Sequence, residues 1–195
     1  MDFEQKREAL KRVLQGDSGG DNSVIDALAR MAQEASFPKK TLILGMDEPQ
    51  RYLYLIVRGL ARSYYIDEGG NDFTKLFVRE GEFLIGEALF MDRSLEAFEA
   101  IEDTACLRFD AKDLRKVLLS TPETMAGYIS ALEGTIVYKM RREHDLQCLD
   151  ATSRYLAFLE TYPGIEGRLP QNLIASYLGM TKETLSRVRR KISDR

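Results

Sequence analysis

Near its C-terminal end the chain reads Gln171-Asn-Leu-Ile-Ala-Ser-Tyr-Leu-Gly-Met-Thr-Lys-Glu-Thr-Leu-Ser-Arg-Val-Arg-Arg190, a spacing that admits very few local structures. Leu173, Ile174 and Leu178 share one helical face, and Leu185, Val188 and Ile192 share another. Two short helices thus each offer an apolar stripe and can pack on each other. Gly179 falls where the first helix must stop in a left-handed residue, which glycine adopts without a Cβ penalty. Thr181 stands where a side-chain oxygen can accept from the free amides of the second helix, and Glu183 lies in its positive first turn. A helix that stops and restarts within about three residues is the geometry of a helix-turn-helix. With Gln171 as the first position, Ile174, Ala175, Leu178, Gly179, Met180, Leu185 and Val188 fill the positions that this pattern constrains. Small Ala175 lies on the inner side, where a larger residue would hold the helices apart. The plain alternative is an ordinary αα-hairpin closing a helical domain.

Charge separates the two readings. The chain carries 28 basic and 31 acidic groups, net −3, which argues against nucleic acid if taken as a whole. From Arg168 to Arg195, however, seven basic residues (Arg168, Lys182, Arg187, Arg189, Arg190, Lys191, Arg195) face two acidic ones (Glu183, Asp194), giving +5. The other 167 residues hold 21 basic and 29 acidic groups, or −8. This asymmetry puts a phosphate-attracting field at one end and keeps the rest away from DNA.

The length of 195 residues gives room for one medium domain and a small one. A composition of 44% hydrophobic and 30% charged residues is that of a folded chain. No apolar run approaches the ~20 residues of a membrane span, and Met1-Asp-Phe-Glu-Gln-Lys-Arg7 lacks a signal-peptide core, so the expected location is the cytoplasm without membrane contact. Cys106 and Cys148 form no CxxC and no cluster, which excludes a disulfide framework, a zinc ribbon or a four-cysteine iron–sulfur site on ligand count within one chain. His144 and Cys148 lie at i and i+4 on an expected helix, but no third ligand or orienting carboxylate accompanies them. A buried free thiol is the commoner fate of cysteine. We expect no metal site, no cofactor and no catalytic residue.

Helices are expected over 2–15 and 23–34, separated by the breaker Gly16-Asp-Ser-Gly-Gly-Asp-Asn22. From Thr41 to Asp110 short β-rich runs take over: Thr41–Leu44, Tyr52–Arg58, Leu60–Ile66, Asp72–Val78, Glu82–Ile85, Ala97–Ile101 and Ala105–Phe109. Their close spacing, with turns such as Asp67-Glu-Gly-Gly-Asn71, predicts an all-β barrel or sandwich. Gly86-Glu-Ala-Leu-Phe90 reads as a helical turn between strands. A short helix over Ala111–Thr121 precedes a long one opened by Pro122 and running to about Leu146. Along it Met125, Ile129, Leu132 and Ile136 step by four, three and four, a coiled-coil seam that favours a second copy of the chain. Asp150 caps a helix over Ala151–Tyr162, and Pro163-Gly164 ends it. The chain thus divides into an N-terminal part at 1–120, a dimerisation helix at 121–148 and a reader at 149–195.

In this order a roll, a long helix and a helix-turn-helix resemble the cyclic-AMP receptor protein and fumarate–nitrate regulator (Crp/Fnr) family, from about Ile25 onward. The most specific stretches are Phe37-Pro-Lys-Lys-Thr-Leu-Ile-Leu-Gly45, Tyr54-Leu-Ile-Val-Arg-Gly59, Gly86-Glu87, Leu149-Asp-Ala-Thr-Ser-Arg154 and the reader. The resemblance implies an α+β chain: an N-terminal double-stranded β-helix (jelly-roll, cyclic-nucleotide-binding-like) domain and a C-terminal winged-helix-type helix-turn-helix. It also implies a homodimeric transcription regulator that binds palindromic double-stranded DNA, with RNA polymerase as a further partner. Glu183-Thr-Leu-Ser-Arg187 looks like the Glu-x-x-Ser-Arg signature with which the fumarate–nitrate branch reads a TTGAT-type half-site. Residue chemistry agrees: Arg187 suits guanine O6 and N7, Glu183 suits cytosine N4, and Ser186 suits a base edge or a phosphate. Thr181, Lys182, Arg189 and Arg190 are the expected phosphate contacts.

The effector side departs from the family pattern. Cyclic-AMP-binding members hold the phosphate with an Arg-Ser pair beyond the Gly-Glu turn, because a buried phosphate must meet a cation and fixed donors. Here the gapless alignment from Gly86 and Glu87 places Glu96 and Ala97 there, so cyclic AMP is not expected to bind. Lys139 and Met140 complete the effector pocket that the resemblance suggests, and the effector itself is unknown. The competing function is a small-ligand or cyclic-nucleotide-binding module that acts on a protein partner.

Overall fold

The computed structural model describes residues 1–14 and 22–193. The breaker expected over 16–22 therefore lies, save for Asn22, outside the described residues, as do Gln15, Asp194 and Arg195. Eight strands, β1 (Gln33–Phe37), β2 (Leu42–Leu44), β3 (Tyr52–Arg58), β4 (Ala61–Ile66), β5 (Asp72–Val78), β6 (Phe83–Leu84), β7 (Ala97–Ala100) and β8 (Thr104–Asp110), follow helices α1 (Phe3–Leu14) and α2 (Asn22–Met31). They build two four-stranded antiparallel sheets, ordered β1-β8-β3-β6 and β2-β7-β4-β5, which face each other as a jelly roll.

Alternation along β3 explains the layering. Tyr54 and Ile56 turn into the space between the sheets with Ala61, Val78, Leu84, Phe98 and Cys106. Leu53 and Leu55 turn outward, onto Leu10 of α1 and Ile25, Leu28 and Ala29 of α2, which cover that face. Fully burying each of these leucine and isoleucine side chains contributes about 1.5–3 kcal/mol. The N-terminal helices thus seal one sheet of the roll.

β1 corrects the sequence reading, which carried the second helix to residue 34. Gln33–Phe37 instead pairs with Thr104–Arg108 of β8, and α2 stops at Met31. Only Ala35 and Phe37 of this strand pack against the interior, so its polar half resembles a helix tail. The turn after β6 behaves as expected: Phe90 and Met91 donate to Glu87 O, at 2.8 and 2.9 Å, closing a helical turn.

Helix α3 (Ala111–Leu118) ends before Thr121, which caps α4 (Pro122–Cys148) in a reciprocal pair with Thr124. Asp150 caps α5 (Ala151–Thr161) by accepting from Ser153 N at 2.7 Å. A 3-10 turn (Glu166–Arg168), α6 (Gln171–Tyr177) and α7 (Lys182–Ser193) complete the chain. The described residues after Asp110 hold no strand, and the 3-10 turn links α5 to α6.

The reader does not hang free. Leu60, Phe77 and Ile101 of the roll enter one buried cluster with Tyr155, Phe158, Tyr162, Ile165, Leu169, Leu173, Ile174, Leu178, Leu185 and Val188. Arg168 donates to Glu80 and Glu102 of the roll at 2.6–3.0 Å, so this member of the C-terminal positive set is neutralised at the domain seam. Arg168 holds the Glu80 carboxyl down at about 2, below its ordinary 4.5. Because the folded-state value is depressed, the contact is complete above about pH 4.5 and is lost as pH falls towards 2. Denaturant titrations of the parent and Glu80→Gln should therefore differ above that window and converge below it; parallel curves throughout would contradict the assignment.

Candidate nucleic-acid interface

Gly179 adopts φ +60°, ending α6 in the left-handed residue that the spacing requires. Thr181 accepts from Thr184 N at 3.2 Å and so opens α7. Leu185 and Val188 are buried against α5 and α6, which fixes the roll of α7 about its own axis. Glu183, Ser186, Arg187 and Arg190 consequently share the opposite, exposed face, joined at the helix start by exposed Thr181 and Lys182. Arg187 Nη2 donates to Thr184 Oγ1 at 3.2 Å, which draws the guanidinium back along the helix. The Glu183 carboxyl lies below the ordinary range, chiefly because its own backbone amide at the helix start donates to it.

Arg189 departs from its expected role. Its Nη2 lies 2.8 Å from Glu166 Oε1, its Nε donates to Tyr155 Oη at 3.3 Å, and Tyr155 Oη is itself bonded to Glu166. One position beyond Val188, its side chain points back towards α5 and ties the reader together, whereas Arg190 remains in solvent.

The region matched to an effector site is filled from within. Gly86 has φ +55°, and an added Cβ would stand 2.6 Å from Phe98 Cζ, so this turn requires glycine for packing. Gln50 clamps the turn by donating to Ile85 O at 2.6 Å and accepting from Glu87 N at 3.0 Å. Lys75 Nζ sits 2.8 Å from Glu96 Oε1 and 3.7 Å from Glu87 Oε1. Glu96 is 1% exposed; burial raises its carboxyl, and the Lys75 ammonium opposes that rise. Ala97 pairs with Tyr64 in the sheet. Lys139 and Met140 lie exposed on α4 and form no ion pair or hydrogen bond with this group. The structure thus brings Gly86, Glu87, Glu96 and Ala97 together and leaves the two α4 residues out.

Along α4, Met125, Ile129 and Ile136 are 38%, 53% and 56% exposed, Leu132 is half-buried, and no residue of the helix is fully buried. Among the described residues, most of that apolar stripe has no cover. His144 Nδ1 lies 3.2 Å from Asp145 Oδ1, and Cys148 is exposed, while burial pushes the Cys106 thiol up to about 12. Among the described residues, no group of three or more His, Cys, Asp or Glu side chains could hold a metal ion, and no helix is long and apolar enough to cross a membrane. Sequence reasoning missed Arg142, Tyr138, Tyr162 and Ser176, which join α4 and the reader to β5; nothing local in the sequence marks them.

The described residues thus combine a jelly roll, a long helix with an exposed apolar stripe and a helix-turn-helix with a charged, outward face. Residues 34–121 match the cyclic nucleotide-binding domain. The cAMP-activated global transcriptional regulator CRP of Salmonella typhimurium is 22% identical over 170 residues, 81% of each chain. FixK2 from Bradyrhizobium japonicum superposes with a TM-score of 0.75 at 25% identity, over 84% of this chain and 85% of its own. The c-di-GMP responsive global regulator CLP of Xanthomonas campestris gives 0.71 at 17%, over 89% and 92%. These findings all fit the Crp/Fnr family.

Proposed function

We propose that the protein is a sequence-specific transcription regulator that binds, as a homodimer, a palindrome of TTGAT-like half-sites, and that it does not respond to cyclic AMP. The observation that carries the reading is the exposed row Glu183, Ser186 and Arg187, backed by buried Leu185 and Val188. A rigid helix with those donors and acceptors suits a major groove. Thr181, Lys182 and Arg190 flank the row as phosphate contacts, and the α4 stripe supplies the seam between two copies. RNA polymerase is the downstream partner that such a regulator implies.

In vitro selection of bound DNA tests this directly. The parent should enrich a palindrome with half-sites about one helical turn apart. Arg187→Ala should cost about 1–3 kcal/mol and relax preference at one base pair, whereas Lys182→Ala should weaken all sequences alike and reduce the salt slope by about 1. An unchanged base preference in Arg187→Ala would remove the base-reading assignment. Enrichment of no sequence at all would favour the other reading, a ligand-binding module for a protein partner.

The cyclic-AMP part rests on Glu96. Its Oε1 already holds the Lys75 ammonium at 2.8 Å where a ligand phosphate would have to enter. Activation by cAMP is a property of the CRP relatives. Calorimetry of this protein with cyclic AMP should register no micromolar binding; a micromolar isotherm would overturn the claim.

A further inference from the structure

β5 is the last strand of its sheet, so one row of its backbone groups has no strand partner. Such an edge invites pairing with other chains unless something covers it. A bulge at Lys75, between the pairs Ser63↔Leu76 and Tyr64↔Thr74, shifts which groups face outward. Outward groups on both sides of the bulge are met by side chains from beyond the roll. Ser176 Oγ accepts from Thr74 N at 2.9 Å and donates to Asp72 O at 3.1 Å. Tyr162 Oη accepts from Phe77 N at 3.3 Å, and Tyr138 Oη lies 3.4 Å from Lys75 O. The hydroxyl of Tyr138 also sits 3.1 and 3.3 Å from those of Tyr162 and Tyr177.

Arg142 grips both bodies through backbone carbonyls. Its Nη2 donates to Thr74 O of the roll at 3.1 Å and to Tyr177 O of the reader at 2.7 Å, and the guanidinium lies 3.8 Å from the Tyr177 ring centre. Tyr177 is the last residue of α6, so its carbonyl is one that the helix leaves unpaired. One turn further along α4, Leu146 Cδ2 would stand 3.2 Å from a Cβ on Gly179. A single face of α4 therefore brackets the turn between the two reader helices.

We infer that Arg142 is a positioning residue for DNA recognition: by joining Thr74 to Tyr177 it fixes the pitch of α7 relative to α4. The inference rests on the homodimeric DNA-binding reading above. In a dimer whose two-fold axis runs along α4, that pitch sets the distance and phase between two recognition helices. Arg142 thus governs the spacing of half-sites, and Glu183, Ser186 and Arg187 govern their bases.

The test compares the full-length parent with Arg142→Gln and Arg142→Lys on the selected palindrome and on versions with one base pair added or removed at its centre. One base pair rotates the second half-site by about 35°, and we expect the parent to lose about tenfold or more in affinity. In both variants the loss should shrink to about threefold or less, with base preference in each half-site unchanged. Lysine should not rescue, because its ammonium has donors enough for the two carbonyls but no planar face to stack on the Tyr177 ring. A variant weakened equally at every spacing, or a lysine variant indistinguishable from the parent, overturns the inference while the regulator reading stands. A parent that binds no palindrome sinks the regulator reading itself.

Discussion

Phe158→Ala is expected to destabilise the protein by about 3–5 kcal/mol, the range for a large aromatic removed from a packed core. Phe158 is 1% exposed, and its ring lies 6.3 Å from Phe77, 6.3 Å from Tyr155, 5.7 Å from Tyr162 and 5.6 Å from Tyr177. Phe77 belongs to the roll and the others to the reader, so the cavity opens in a core that both share. For a chain of this length the melting temperature should fall by roughly 10 °C, as one transition in circular dichroism and calorimetry. If the roll instead melted at the parent's temperature while the reader alone was lost, the shared core would not be cooperative.

The second large effect concerns α4. Ile129 and Ile136 are more than half exposed on a helix with no fully buried residue. In the homodimer proposed above, replacing both by Glu should place like charges opposite each other across the two-fold seam and give a monomer in sedimentation. Losing one of two linked readers removes the effective-concentration gain of about 10²–10⁴, so affinity for the palindrome should drop by that factor while a single half-site is bound as before. A double variant that stays dimeric would move the interface elsewhere.

Where residues announce their own neighbours, the sequence was a sound guide. Tyr52–Arg58 and Asp72–Val78 are bounded by turn residues on both sides, and both strands take those limits. Gly179, Thr181 and Asp150 act locally, through φ or through a cap, and each performs the role that its spacing implies. The misreadings have a common cause: they concern partners far along the chain. Gln33-Glu34 reads as a helix tail until β8, about 70 residues on, supplies its pairing. A count of basic residues treats Arg168, Arg189 and Arg190 alike, yet two of them answer carboxylates inside the fold and one does not. Thr74 and Ser176 meet across 102 positions, and no periodicity in either segment marks that bond.

The covered edge of β5 limits how this protein can be cut and rejoined. Outward amides and carbonyls along it are answered by Ser176 of α6, Tyr162 just beyond α5, and Tyr138 and Arg142 of α4. A fragment ending at Leu118 would leave those groups bare and prone to self-association, and a reader grafted onto another roll would arrive without its mate. A graft has to carry the strand, the long helix and the reader as one cassette, so the transplantable unit is wider than the helix-turn-helix alone.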